Sequence, residues 1–226
     1  MNQKQHIHQH SRRNGQLPAK TIKSATNWGG LHSDEKGLER IVLFSDAVFA
    51  IAITLLALEI RLPVEASRLT DQQLLTDLVA IWPQYLSFGI SFLVIGSFWI
   101  AHHRRFSLIT RYDNRLLLLN LLVLMAIAFI PFPTSVISEN GNRTATIFYA
   151  LTITVTGLLS ALLWWYAAWE NRLVDKNVDK TIARRNLISI LTTPAVFLLS
   201  IGLTFINPDL GKVSWILTAP AALMLR

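Results

Sequence analysis

One carboxylate stands where carboxylates are costly. The stretch Arg40-Ile-Val-Leu-Phe44-Ser45-Asp46-Ala-Val-Phe49-Ala50-Ile51-Ala-Ile53-Thr54-Leu55-Leu56-Ala-Leu58-Glu59 is apolar except for Ser45, Asp46 and Thr54 between its charged ends. A charged side chain at the centre of a membrane helix costs about 2.5–3.5 kcal/mol on the insertion scale, and less near an interface. Asp46 therefore needs a partner or a shallow position. Arg40, six residues earlier, lies far round the helix and is a poor local partner. Better candidates come from elsewhere in the chain: a second apolar run ends in Trp99-Ile-Ala-His102-His103-Arg104, and a third opens with Asp113, Asn114 and Arg115. Two readings of Asp46 stand: a polar cluster with His102 or His103 across helices, or an anchor at the headgroups. The cluster reading carries its own chemistry, since a carboxylate and imidazoles at one depth can relay protons. Downstream of Asp46, Ile51, Leu55 and Leu58 recur at i, i+4 and i+7, so they share a helical face with Thr54 on its edge. Ala47, Ala50 and Ala57 are small enough for close helix approach. Spacing alone leaves this face as lipid-facing, core or pore-lining.

Other site classes are poorly served. The chain has no Cys, which excludes a disulfide scaffold, a thiolate metal site and a Cys nucleophile. His6, His8 and His10 alternate in a polar tail with nothing to hold them as ligands, and read as solvated. His102 and His103 are adjacent, so both rings cannot point the same way on a helix, and no further residues have metal-ligand spacing. There is no Gly-rich phosphate loop and no Ser nucleophile elbow. Thr154-Val155-Thr156-Gly157 has the residue types of an extended loop whose carbonyls replace ion hydration. It sits inside the apolar run 145–169 with no break, so it reads as ordinary helix with Thr hydroxyls bonded to the preceding turn. Neither a catalytic residue nor a cofactor is expected.

The elements that position these residues are membrane spans. Of 226 residues, 52% are hydrophobic and only 15% charged, and mean hydropathy is +0.40. Soluble domains spend about 25% of their residues on charge. Apolar runs fall at 41–60, 79–101, 116–137, 145–169 and 187–206. A shorter sixth, 213–225, becomes a span over about 210–225 if Asn207–Lys212 adds a turn. A bilayer core about 30 Å thick needs about 20 helical residues. Pro63, Asn140-Gly141-Asn142 and Asn207-Pro208 separate the runs with helix-end chemistry. The expected organisation is a cytosolic, mostly disordered basic tail over 1–38 and an all-α, six-helix transmembrane domain over 39–226. The tail holds no apolar core of signal-peptide type.

Counting Lys and Arg by segment sets the orientation. The tail through Arg40 holds seven. Arg104, Arg105, Arg111 and Arg115 lie in the second connection. Arg172, Lys176, Lys180, Arg184 and Arg185 lie in the fourth, and Arg226 ends the chain. These 17 share one side, against Arg61, Arg68, Arg143 and Lys212 on the other. Both termini are therefore expected in the cytosol, with an even number of spans. Trp28, Trp82, Trp99, Trp169 and Trp215 lie near run ends, where indoles favour the interface. The net charge of +7 follows from this topology and needs no nucleic-acid partner.

At this point the residues carry a resemblance. Arg40-x3-Phe44-Ser45-Asp46-x2-Phe49-Ala-Ile51-x2-Thr54-Leu55 resembles the signature of the endosomal/lysosomal potassium channel family in its bacterial single-repeat form. The likeness continues through Trp99-x2-His102-His103-Arg104-x-Phe106, Asp113-x6-Asn120-Leu and Phe129-x-Pro131-Phe132-Pro133-Thr134, covering residues 40–134. It implies a homotetramer around a central pore, conducting K+ and other monovalent cations passively. The family's constriction of bulky apolar residues maps onto Ile51, Leu55 and Leu58, with Thr54 as polar neighbour. Its polar network near the cytosolic side maps onto Arg40, Ser45, Asp46, His102, His103 and Asn120. The family has no carbonyl filter, in keeping with the helical reading of Thr154–Gly157. The resulting expectation is a potassium-permeable channel of the bacterial inner membrane. Its rival is a proton-coupled transporter using Asp46 and His102 or His103, and a third class is a membrane enzyme or packing subunit.

Overall fold

The computed structural model describes residues 35–62 and 69–215. Among the described residues the chain is helical throughout, with one isolated antiparallel bridge between Ile109 and Val174. The helices are α1 (Glu35–Leu58), α2 (Asp71–Ala80), α3 (Trp82–Phe106), α4 (Asn114–Phe129), α5 (Pro131–Asn140), α6 (Arg143–Ala168), α7 (Lys180–Ile206) and α8 (Pro208–Ser214). Among the described residues five segments are long and apolar enough to cross a membrane: α1, α3, α4 with α5, α6 with the turn after it, and α7.

The boundaries differ from the expected runs for local reasons. Within the described residues α1 already runs from Glu35, inside the stretch assigned to the tail, and takes Gly37 into the helix. The second run is cut. Thr70 and Gln73 form a capping box that starts α2. Ile81 then leaves helical geometry before Pro83, and a new helix starts at Trp82. α3 reaches Phe106, so His102, His103 and Arg104 lie within the helix. The third run divides at Ile130 because Pro131 has no N–H to continue the ladder. Gly141 ends α5 in the left-handed region, φ 57°, and its N–H bonds the Ile137 carbonyl at 3.0 Å. The Asn142 side chain then caps α6 through Ala145 N–H at 3.0 Å.

α6 is buried along most of its length and packs against α7. The two helices touch at Gly157, where an added Cβ would lie 2.8 Å from Pro194 Cδ. Thr154 and Thr156 bond the carbonyls of Ala150 and Thr152 at 2.8 and 2.9 Å, inside α6 as the sequence suggested. α8 lies on α7, and Lys212 Nζ donates to the Gly141 carbonyl at 2.8 Å. Most of the expected sixth span lies outside the described residues, as do His6, His8, His10, Trp28, Pro63, Arg68 and Arg226.

The connections after α3 and α6 meet at the other end of the bundle. Thr110 and Arg111 N–H both donate to the Leu173 carbonyl, at 2.9 and 3.1 Å, and Asp175 N–H donates to Leu108 at 3.0 Å. The second and fourth connections, grouped by charge in the sequence, are joined here by backbone hydrogen bonds.

Candidate functional site

α1 has two faces. Ile41, Ser45, Phe49, Ala52 and Leu56 are buried against the rest of the chain. On the other side Ile51, Leu55 and Leu58 are 58%, 39% and 64% exposed. Thr54 is exposed between them and donates back to the Ile51 carbonyl at 2.9 Å. Ala47, Ala50 and Ala57 share this open side. The stripe marked by spacing thus faces away from the bundle.

The buried face of α1 carries a directed chain of hydrogen bonds. Ser45 Oγ donates to the Ile41 carbonyl at 2.8 Å. Asn120 Nδ2 of α4 donates to Ser45 Oγ at 3.0 Å. His102 Nε2 of α3 lies 2.9 Å from Asn120 Oδ1. Because an amide oxygen accepts, Nε2 is the donor in this contact. Each group donates to the next, and the chain runs from α3 through α4 into α1. The ring is walled by Phe106, stacked at 4.3 Å between centroids, and by Phe49 at 5.4 Å. His102 Nδ1 is left buried without a hydrogen-bond partner among the described residues. A network closed on all but one atom fixes the relative positions of three helices.

Asp46 is outside this chain. Its Oδ1 accepts from the Trp99 indole N–H at 2.8 Å, at an exposed position. The expected pairing with His102 or His103 is therefore replaced by an indole. Asp46 is one residue past Ser45, a turn of about 100° that carries it away from α4. On α3, Trp99 faces Asp46 while His102 turns toward α4. His103 sits beside Trp99, ring centroids 6.0 Å apart. Arg40 is exposed, and the described residues give it no hydrogen bond or ion pair. Of the six polar residues singled out in the sequence, the structure joins Ser45, His102 and Asn120 and leaves Arg40, Asp46 and His103 apart from them.

Two further polar clusters went unread in the sequence. Asp113 caps α4 through Leu116 N–H at 2.8 Å, accepts from Tyr166 Oη at 2.5 Å, and lies 3.6 Å from Arg172. It ties the start of α4 to the end of α6. Nearer the opposite end, Ser91 Oγ lies 3.0 Å from Tyr149 Oη and accepts from Thr134 Oγ1 at 2.9 Å, joining α3, α6 and α5. No sequence spacing brings these residues together. Among the described residues, no group of His, Asp and Glu could hold a metal.

Among the described residues, five helical segments long and apolar enough to cross a membrane, held by internal polar ties, define a helical membrane protein. Residues 40–131 match the family described as endosomal/lysosomal potassium channel TMEM175. A potassium channel of Streptomyces collinus is 38% identical over 176 residues, covering 76% of this chain and 84% of that one. The crystal structure of a lysosomal potassium-selective channel TMEM175 homolog from Chamaesiphon minutus superposes with a TM-score of 0.74 at 34% identity, over 85% of this chain and all of that one. An endosomal/lysosomal proton channel TMEM175 of Gallus gallus is 31% identical over 149 residues, 64% of this chain but 30% of that longer protein. The chain belongs to the TMEM175 channel family.

Proposed function

We propose that this chain is one subunit of a homotetrameric potassium channel of the bacterial inner membrane. Six spans, the sixth over about 210–225, would follow a cytosolic tail over 1–38, with both termini in the cytosol. The observation that carries the reading is the exposed apolar stripe of α1, opposite its buried polar face, in a chain of this family. Four copies of α1 around an axis give stacked rings of Ile51, Leu55 and Leu58, with Thr54 hydroxyls beside them. Apolar rings offer no ligands in place of lost water, so the barrier is the cost of stripping hydration, and such a constriction also closes by dewetting. Potassium holds its water less tightly than sodium and crosses more easily. The Ser45–Asn120–His102 chain holds α1 at a fixed rotation and so sets which side chains face the axis. Conduction is passive and uses no catalytic residue and no cofactor.

The relative named a proton channel supports a second reading, in which protons are the permeant ion or the coupled one. In this chain Asp46 is held by Trp99 and His102 by Asn120, so a relay between them requires both to change partners. Single-channel recording of the reconstituted chain under a potassium/sodium gradient separates these. Unitary currents reversing near the potassium potential support the channel. Saturating transport tied to the pH gradient, without unitary currents, supports the proton-coupled carrier. Absence of any ion or proton transport overturns both.

A further inference from the structure

The end of α6 leaves an aromatic ledge. Trp164 is fully buried and donates its indole N–H to the Ala183 carbonyl of α7 at 3.0 Å, clamping the helices where they part. Trp165 and Trp169 turn outward, 45% and 55% exposed, with ring centroids 5.2 Å apart. The chain leaves the helix through two left-handed residues, Glu170 at φ 51° and Asn171 at φ 52°. Arg111 Nη2 holds that turn by the Asn171 carbonyl at 3.0 Å. Across from the ledge, α7 presents Lys180, Ala183, Arg184 and Leu187, spaced as one helical face. The groove between has a volume of about 640 Å³.

Its chemistry has two parts. The floor is apolar, from the part-exposed Ala168 and Leu187 beside the Trp165 ring. One lip carries the exposed cations Lys180 and Arg184, neither with a hydrogen bond or ion pair among the described residues, and the other carries Glu170. A free phosphate uses the cations and leaves the floor wet. An uncharged acyl chain covers the floor and leaves the cations unused. An occupant matching both is amphipathic and anionic, and Glu170 selects a headgroup with a hydroxyl to donate. Exposed indoles at the end of an apolar helix sit at headgroup level, where basic side chains attract anionic lipid.

We propose that this groove seats one anionic phospholipid with a hydroxylated headgroup. Its phosphate lies between Lys180 and Arg184, its hydroxyl toward Glu170, and an acyl chain along Trp165 and Leu187. The leaflet rests on the orientation proposed above and is the inner one; the site itself does not depend on that orientation.

The test uses the full chain in nanodiscs of phosphatidylethanolamine with spin-labelled phosphatidylglycerol or phosphatidylcholine. The wild-type chain is expected to immobilise the phosphatidylglycerol label in excess. Lys180→Gln and Arg184→Gln are each expected to lower its relative affinity roughly fivefold, and the pair about thirtyfold, on the usual scale for basic residues at a membrane surface. Lys176→Gln, outside the groove, is the charge-matched control and is expected to change it less than twofold. Equal immobilisation of both labels by the wild-type chain overturns the proposal without any variant. So does a double variant that loses no more than the control. A photocrosslinker replacing Trp165 is expected to capture lipid; capture of a second copy of the chain, or of its residues 216–226, identifies another occupant and overturns it. Displacement of the label by millimolar inorganic phosphate assigns the cations to a free anion, with the same consequence. Reversed cysteine labelling of the two membrane faces would move the lipid to the outer leaflet and leave the affinity ratios intact.

Discussion

At the residue scale, the structure ranks polar groups that the sequence could only gather. Asn120 is 3% exposed and makes two hydrogen bonds to buried partners, whereas Asp46 makes one, to an indole at an exposed position. Asn120→Ala strands the His102 N–H and removes the donor to Ser45. Leaving a buried donor unmade costs about 1–3 kcal/mol. Asn120→Ala should therefore lower the thermal midpoint of the purified protein clearly, and Asp46→Ala should lower it less. Melting both variants in the same detergent checks the order, and an Asp46→Ala loss equal to or larger than that of Asn120→Ala would show that the Ser45–Asn120–His102 chain is not the principal tie. Ser45 and Asp46 are neighbours in sequence, yet they serve different helices, since one residue of helix turns the side chain by about 100°. That divergence was hidden in the sequence. An Asp in an apolar run demands a partner, but nothing in the run says whether the donor is an imidazole or an indole. Trp99 read naturally as an interface aromatic, and its N–H became visible as a donor only once α1 and α3 were side by side.

At the scale of elements, the close approach of α6 and α7 rests on one residue. A Cβ at Gly157 would lie 2.8 Å from Pro194 Cδ, and both are part of helix backbones that cannot yield cheaply. Overpacking of this kind costs about 1–3 kcal/mol. Gly157→Ala should destabilise the protein by that order, and Pro194→Ala in the same chain should recover part of it. By contrast Gly96 has nothing within 4 Å of an added Cβ. Gly96→Ala should be neutral, or stabilising by about 0.5–1 kcal/mol, as expected for glycine in a helix. Denaturation of the three variants in one detergent decides it; equal behaviour of Gly157→Ala and Gly96→Ala removes the packing argument. The spans themselves were legible, because twenty apolar residues in a row have few other homes. Their breaks were less so. Pro83 and Pro131 lie within or beside apolar runs, and hydropathy averages across them, while the missing N–H divides α2 from α3 and α4 from α5. The pairing of the two loops through Leu173 was legible only as a shared charge sign.

At the scale of the whole molecule, two predictions join the fold to the proposed channel. The first is orientation. Asn140 and Asn177 are both exposed, at the end of α5 and in the connection after α6 respectively, and the basic residues crowd the connections on the Asn177 side. Cysteine at Asn140 should react with an impermeant reagent added outside cells, and cysteine at Asn177 only after permeabilisation. The second is the constriction. Ile51, Leu55 and Leu58 remain open to their surroundings because the buried face of α1 already uses Ile41, Ser45, Phe49, Ala52 and Leu56. In a tetramer the open stripe faces either the axis or lipid, and the two differ in what an amide does there. Facing lipid, Asn disturbs insertion and leaves permeation unchanged. Facing the axis, four amides put oxygen and water where there was hydrocarbon, which lowers the dehydration barrier for both cations. Sodium gains more than potassium, since it loses more on dehydration. Ile51→Asn, Leu55→Asn and Leu58→Asn, tested one at a time, should include at least one variant with raised conductance and a bi-ionic reversal potential shifted toward zero. Thr54→Ala should shift the reversal potential with little rise in conductance, because it removes a hydroxyl without wetting the ring. If all three Asn variants keep the wild-type conductance and reversal potential, α1 turns its stripe to lipid and the pore lies along another helix.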